Sequence, residues 1–294
     1  NTDEVLDTLM RDVELGTSLK THVGAYRIGL DSWNHAKIVA VDGEVLITGG
    51  HNFWDPHYLA SAPIHDVSIR LTGTPADDAH YFVNQLWAHT CEGYWFWAES
   101  NASAFPSTAP SCADDNDGKL PALEKTGARV ISVARMGELG ENPADQALIA
   151  MIRSAQTSIR LSNQDIGPVQ LGSTTVTDWP EDVMGEIVDA VLRDVDVYMV
   201  LSNPDSIPGG LHGVSGTYGN GWTAIQVANE FLLRFIFSSN LETREDLHDA
   251  LCEHLHVSTI RFSDDDNWGG GENIGNHAKL MIVDDVSFYL GSQN

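Results

Sequence analysis

Short apolar runs alternate along the chain with polar or glycine-rich breaks. The runs at 38–41, 67–71, 128–133, 158–162, 195–201, 258–262 and 280–283 predict strands. Between them, apolar residues recur at helical spacing. Helices are predicted near the start, where Val5, Leu6, Leu9 and Val13 recur at that spacing, and over 75–87, with Phe82, Val83, Leu86 and Trp87 on one side. Further helices are predicted over 143–155, with Pro143 near the start, and over 181–194, 223–237 and 242–255. Three stretches resist a regular reading: 99–125, rich in Ser, Ala, Pro, Asp and Asn; 208–222, with six glycines; and 264–273. Alternation of strand and helix predicts an α/β fold. The loop over 99–125 sets a boundary between a lobe at 1–125 and a lobe at 126–294.

One pattern occurs twice. Asn34 to Asn52 reads NHAKIVAVDGEVLITGGHN, and Asn276 to Asn294 reads NHAKLMIVDDVSFYLGSQN; the two align without a gap. Each has His, Lys two residues on, Asp five after the Lys, and Gly and Asn near the end. Residues i and i+2 of a strand share a face, so His35 and Lys37 point one way, as do His277 and Lys279. The apolar letters drift while the polar ones persist. A duplicated strand-turn-strand kept only for folding has no reason to preserve His, Lys and Asn. Two half-sites forming one active site do: two imidazoles divide nucleophilic and acid roles, and two ammoniums with two amides hold a phosphoryl group.

Charge narrows the substrate. The chain of 294 residues carries a formal net charge of −26. Nucleic-acid binding rests on Lys and Arg neutralising phosphates, so this balance argues against a nucleic-acid partner and against strongly anionic membranes. A zwitterionic head group meets no such penalty; solubility alone also accounts for the acidity. Composition is that of a globular protein, at 42% hydrophobic and 20% charged residues, without the 18-residue apolar run of a membrane-spanning helix. No signal-peptide pattern stands at residue 1, which fits a chain that begins after processing.

The motif His-x-Lys-x4-Asp, present twice with Gly-x-x-Asn downstream, resembles the phospholipase D superfamily. In detail the chain is similar to the secreted bacterial phospholipases D of actinomycetes. The matching words include Ser32-Trp33-Asn34-His35, Thr48-Gly49-Gly50, Asn52 with Trp54 and Tyr58-Leu59, Asp66-Val67, Leu86-Trp87 with Thr90-Cys91, Gln164-Asp165, Leu201-Ser202 and Phe288-Tyr289-Leu290-Gly291-Ser292. The resemblance implies two pseudo-symmetric lobes, each a mixed sheet flanked by helices, with one active site shared at their interface. It implies that His35 forms a phosphohistidine and His277 protonates the leaving alcohol, then activates water or another alcohol. Lys37, Lys279, Asn52 and Asn294 bind the non-bridging oxygens. Asp66 aligns with the carboxylate that holds the nucleophilic His. Asp42 and Asp284 are read as structural, bonding turn backbone after each strand.

The same resemblance implies a disulfide between Cys91 and Cys112, hence an oxidising compartment and a secreted protein; a sequon at Asn101 gives weak support. Cys252 is then left over, as a free thiol or with a partner outside this chain; the resemblance also leaves the chain short at both ends, so a further segment or chain is expected to supply them. No metal or cofactor is called for. Asp115, Asp117, Gly118 and Glu124 have calcium-loop spacing, but Ala113 stands where the first ligand belongs, and Asp264 to Asp266 read as a solvated loop. His51, His57 and His65 have no counterpart in the second copy and are read as non-catalytic. The loop at 208–222, with Tyr218 and Trp222, fits either an active-site mouth or a plain loop. Trp95 to Trp97 fit either an interfacial anchor or the core. The expected activity is hydrolysis of the distal phosphodiester of phosphatidylcholine-like lipids at a membrane or micelle surface, with transfer to alcohols. A nuclease or other phosphodiesterase of the superfamily and a silent phospholipid-binding protein remain the alternatives.

Overall fold

A computed structural model describes residues 2–11, 21–25, 27–28, 32–52, 58, 63–91, 101–105, 127–137, 142–168, 170–171, 174–175, 177–204, 206, 222–238, 244–264, 267–268, 271 and 273–293. Contacts divide the chain into two compact units, 1–47 with 70–141, and 48–69 with 142–294. The sequence put its boundary at 125/126. The contact division falls at 47/48, 69/70 and 141/142, and places Thr48–Ile69, with the last five residues of the first motif, in the second unit.

The first unit opens with α1 (Thr2–Met10), β1 (Thr21–Ala25), β2 (Arg27–Ile28), β3 (Ser32–Trp33) and β4 (Ile38–Val41). Then come β5 (Val45–Gly49), β6 (Ser68–Thr72), α2 (Thr74–Cys91) and β7 (Asn101–Phe105). Strands β4, β5 and β6 form a sheet in that order. Leu46 of β5 packs with Ala76 and Ala79 of α2 and with Ile38, Ala40 and Leu71. Helix α2 starts at Thr74-Pro75, where proline loses no hydrogen bond.

Two expectations fail in this unit. β7 lies inside the stretch read as loop and pairs antiparallel with β1, Thr21 opposite Phe105. Its small residues, Asn-Ala-Ser-Ala, give no apolar alternation, and the pairing is non-local. The run 128–133 forms no strand, and Ile131 is 87% exposed: apolar residues without a neighbouring strand do not make a sheet.

The second unit continues with α3 (Pro143–Ser154), β8 (Ser158–Asn163), β9 (Gln170–Leu171), β10 (Thr174–Thr175), α4 (Glu181–Val191) and β11 (Asp196–Leu201). It ends with α5 (Ala224–Ser238), α6 (Arg244–His254), β12 (Leu255–Thr259), β13 (Lys279–Val283) and β14 (Ser287–Leu290). Its sheet has the order β12-β11-β8-β13-β14. β8, β11 and β12 are parallel, joined through helices as parallel strands require; β13 runs antiparallel to β8 and β14 antiparallel to β13. β12 begins before the predicted 258–262, because α6 passes directly into it with no Gly or Pro between.

One face of this sheet carries the main core. Ile159, Val197, Met199, Leu201, Met281 and Val283 meet Met184, Ile187, Val188 and Val191 of α4 and Val227, Phe231 and Phe235 of α5. Each buried large side chain of this kind contributes roughly 1.5–3 kcal/mol. Antiparallel β13 brings its first residue, Lys279, opposite Asn163 at the carboxyl end of β8. The second motif therefore starts at the carboxyl edge of the parallel strands, where ligands bind in open α/β sheets. No helix among the described residues is long and apolar enough to cross a membrane.

Candidate active site

The two motif copies fold alike. Lys37 Nζ donates to the carbonyl of His35 at 2.7 Å, and Lys279 Nζ to that of His277 at 2.7 Å. The Asn side chain opening each copy accepts from the backbone N–H two residues on, Ala36 to Asn34 and Ala278 to Asn276. Each strand then turns sharply. Asp42 and Gly43 have φ of 53° and 67°, Asp284 and Asp285 of 53° and 55°, and Glu44 and Val286 donate back to Val41 and Val283. These are two-residue hairpin turns with both central residues left-handed, which Asp and Gly tolerate best.

Asp284 was expected to bond its own turn, but its side chain reaches a different segment. Its carboxylate accepts from the backbone N–H groups of Gln156, Thr157 and Ser158 and from the Thr157 hydroxyl. The Ser158, Thr157 and Gln156 amides, in that order, hold it well below the usual carboxylate range. It thus ties the second hairpin to the loop entering β8.

His277 is the best-defined group. Residue 65 bridges to residue 276: His65 N–H donates to Gly275 O at 2.8 Å, and His277 N–H to His65 O at 2.7 Å. That lays residues 64–66 along 275–277 and brings Asp66 Oδ2 to His277 Nδ1 at 2.9 Å, with both side chains almost fully buried. The Asp66 carboxylate was expected at His35; the ring it holds is His277. The correction follows from the bridge, a non-local contact. Tyr58 Oη donates to Asp66 Oδ2 at 3.0 Å, lies 3.3 Å from His277 Nδ1, and accepts from the Asn52 backbone N–H. His51 stacks on Tyr58, and the ring of His65 meets the edge of Phe262, so both have packing roles.

Gly50 is required by this geometry. A Cβ there would lie 2.2 Å from Asp66 Oδ1 and 2.7 Å from the carbonyl of His277. At Gly49 it would lie 2.3 Å from the Val67 carbonyl. In the second copy, Gly291 clears the Tyr289 hydroxyl, which a Cβ would approach to 2.3 Å.

Asn276 fixes the other side of the motif. Its Nδ2 donates to Ser162 Oγ, Asn163 O and Val200 O, and its backbone N–H to Ser202 Oγ. Asn203 Nδ2 donates to Ile260 O and Ile274 O. Lys279, 1% exposed, also donates to Gln164 Oε1 at 3.4 Å. Burial pushes the adjacent Asp165 carboxyl up to about 7, with the Lys279 charge pulling the other way. Tyr58-Leu59 and Gln164-Asp165 were legible as matching words, but nothing in the sequence assigned Tyr58, Gln164, Asp165 or Asn276 these contacts.

With Nδ1 held by a carboxylate, the His277 ring offers Nε2 for chemistry, in the arrangement of a general acid–base histidine. His35 is exposed and Lys37 buried in the first unit. Asn294, Cys112, the 113–124 acidic spacing, Trp95 to Trp97 and the 208–221 loop lie outside the described residues. Among those described, Cys252 is an exposed free thiol, and no cluster of three His, Cys, Asp or Glu is arranged to hold a metal.

The chain thus holds a buried lysine two residues after a carboxylate-held histidine, on a motif present twice. It is a relative of the phospholipase D of Streptomyces antibioticus, 28% identical over 315 residues that cover 90% of this chain and 53% of that protein. The chain thus spans about half the length of that curated relative. The crystal structure of phosphatidylserine synthase from Haemophilus influenzae shares the fold, with a TM-score of 0.54 at 13% identity, over 95% of this chain and 58% of that one. No family model matches the chain.

Proposed function

We propose that the protein is a phosphodiesterase of phospholipase D type. It cleaves the distal phosphodiester of phosphatidylcholine-like lipids to phosphatidate and free head group, and transfers the phosphatidyl group to alcohols. Both motif copies serve one phosphodiester. His35 attacks phosphorus through a neutral ring nitrogen, forming a P–N bond as the P–O bond to the head group breaks; His277 gives its Nε2 proton to the departing oxygen. Water then gives a proton to His277 and attacks phosphorus, the P–N bond breaks, and His35 is restored. Lys37, Lys279, Asn52 and Asn294 stabilise charge on the non-bridging oxygens.

The observation that carries this reading is the Asp66–His277 contact at 2.9 Å. A carboxylate on Nδ1 stabilises the imidazolium, which suits His277 to alternate between acid and base. The order of roles, with His35 as nucleophile, rests on the resemblance and not on this contact, since a carboxylate on Nδ1 suits a nucleophilic histidine equally. The net charge of −26 favours a zwitterionic lipid over a nucleic acid. Secretion and the Cys91–Cys112 bridge belong to the same proposal.

The test is head-group release from defined phosphatidylcholine liposomes with and without ethanol. Phosphatidic acid is expected without ethanol, and phosphatidylethanol at its expense with it. Cleavage of plasmid DNA but not of phosphatidylcholine would turn the assignment to a nuclease.

A further inference from the structure

Lys279 is a buried cation on the first residue of β13, and its neighbours come from the end of β8. Register pairs Lys279 with Asn163. The two residues after Asn163 leave the strand and are held in place: Ser202 N–H donates to the Gln164 carbonyl at 3.0 Å, and Asn163 Nδ2 to the Asp165 carbonyl at 2.9 Å. Gln164 Oε1 then accepts from the Lys279 ammonium. Asp165 is half-buried, with its Oδ2 closed to solvent.

We propose that Gln164 is a positioning residue for Lys279: its amide oxygen aims the ammonium, with Asp165, its Oδ2 closed to solvent, next to it in the chain. This rests on the reading that Lys279 binds a phosphate oxygen. The physical need is plain. A lysine stem has four rotatable bonds, and its ammonium is a point charge without the fixed fork of arginine. An isolated ammonium so deeply buried is also costly unless paired and hydrogen-bonded. The His277 carbonyl fixes the head along one direction, and Gln164 Oε1 supplies a second. Burial pushes the Asp165 carboxyl up to about 7 against the pull of the Lys279 charge, so at neutral pH it is only partly ionised and is not a full opposing charge. Lys279 thereby keeps positive charge available for a phosphate.

The test uses the whole protein with Gln164→Ala, Gln164→Glu, Asp165→Asn and, as reference, Lys279→Met. Turnover is measured on Rp and Sp phosphorothioate diesters, and inorganic phosphate is titrated as inhibitor. A cation aimed at one non-bridging oxygen produces a preference between the two diastereomers. Q164A is expected to lower kcat/KM by about 10- to 100-fold, to weaken phosphate inhibition, and to shrink that preference. Q164E, which keeps the acceptor, is expected to recover most of both. D165N is expected to keep the preference while changing phosphate affinity. Thermal unfolding runs in parallel, and if Q164A melts early, Q164E and the phosphate titration decide. An unchanged preference and unchanged phosphate inhibition in Q164A, with K279M inactive, overturns the seat alone. Full activity in K279M instead removes the underlying reading of Lys279.

Discussion

Asp66 and His277 are 211 residues apart in the chain and 2.9 Å apart in space. Both are closed to solvent, and Tyr58 completes the contact from a third direction. Asp66→Asn keeps the shape but loses the acceptor that selects the Nδ1–H tautomer. Turnover of phosphatidylcholine is expected to fall by roughly 10²- to 10⁴-fold, with a smaller loss on p-nitrophenyl esters, whose leaving group needs little protonation. Equal losses on both substrates would count against an acid role for His277.

His35→Ala and His277→Ala are each expected to lower turnover by at least about 10³-fold, because the proposed mechanism uses the two as one unit. With His277 removed, an activated ester is expected to leave phosphate on His35, seen by mass spectrometry after an alkaline quench. A label on His277 in the His35 variant would reverse the two roles.

Two glycines give opposite outcomes. Gly50→Ala drives a methyl into Asp66 Oδ1 and the His277 carbonyl, and is expected to cost about 1–3 kcal/mol and most of the activity. Gly185 sits inside α4 with nothing within 4 Å of an added Cβ. Gly185→Ala is expected to stabilise by about 0.5–1 kcal/mol and leave turnover alone. Urea titration of both against the parent checks the pair.

Two buried or bonded carboxyls shift stability with pH in opposite senses. Asp284 is depressed, so its stabilisation is present above the unfolded value near 3.8 and is lost as pH falls through its lower folded value. Asp284→Asn keeps a turn-compatible residue and is expected to cost about 1 kcal/mol at pH 7, a gap that narrows below about pH 4. Asp165 is raised to about 7 from 3.8. The folded state then holds the proton that the unfolded state releases, so stability falls as pH rises between those values. Asp165→Asn is expected to flatten that slope. A parallel urea-midpoint profile for parent and D165N from pH 4 to 8 would refute the assignment.

EDTA is expected to leave turnover unchanged, since in the proposed mechanism two imidazoles and two ammoniums supply nucleophile, acid and charge. A loss restored by one divalent metal is the contrary result.

The main sheet of the second unit was readable, because β8, β11 and β13 are apolar runs whose side chains fill its core. The repeat gave both His-x-Lys sets, and the two copies share local geometry down to the left-handed aspartates. Contacts set by register were not readable. Asp66 reaches His277 through the His65–Asn276 bridge, and Gln164 reaches Lys279 because Asn163 pairs with it. Neither register is encoded by spacing within one segment. β7 escaped because Ala and Ser carry little pattern, and 128–133 misled because apolar residues alone do not supply a partner strand.

The bridge between His65 and Asn276 also orders events in time. Hairpins such as β13-β14 close over a few residues, and helices form locally. The bridge must bring together segments more than two hundred residues apart, against a loop-closure entropy that grows with the logarithm of that length. Contacts of such separation form late. During refolding, helical signal is expected to return before turnover. A partly folded chain would hold every motif residue and still lack an organised acid, so recovered activity reports the completed second unit.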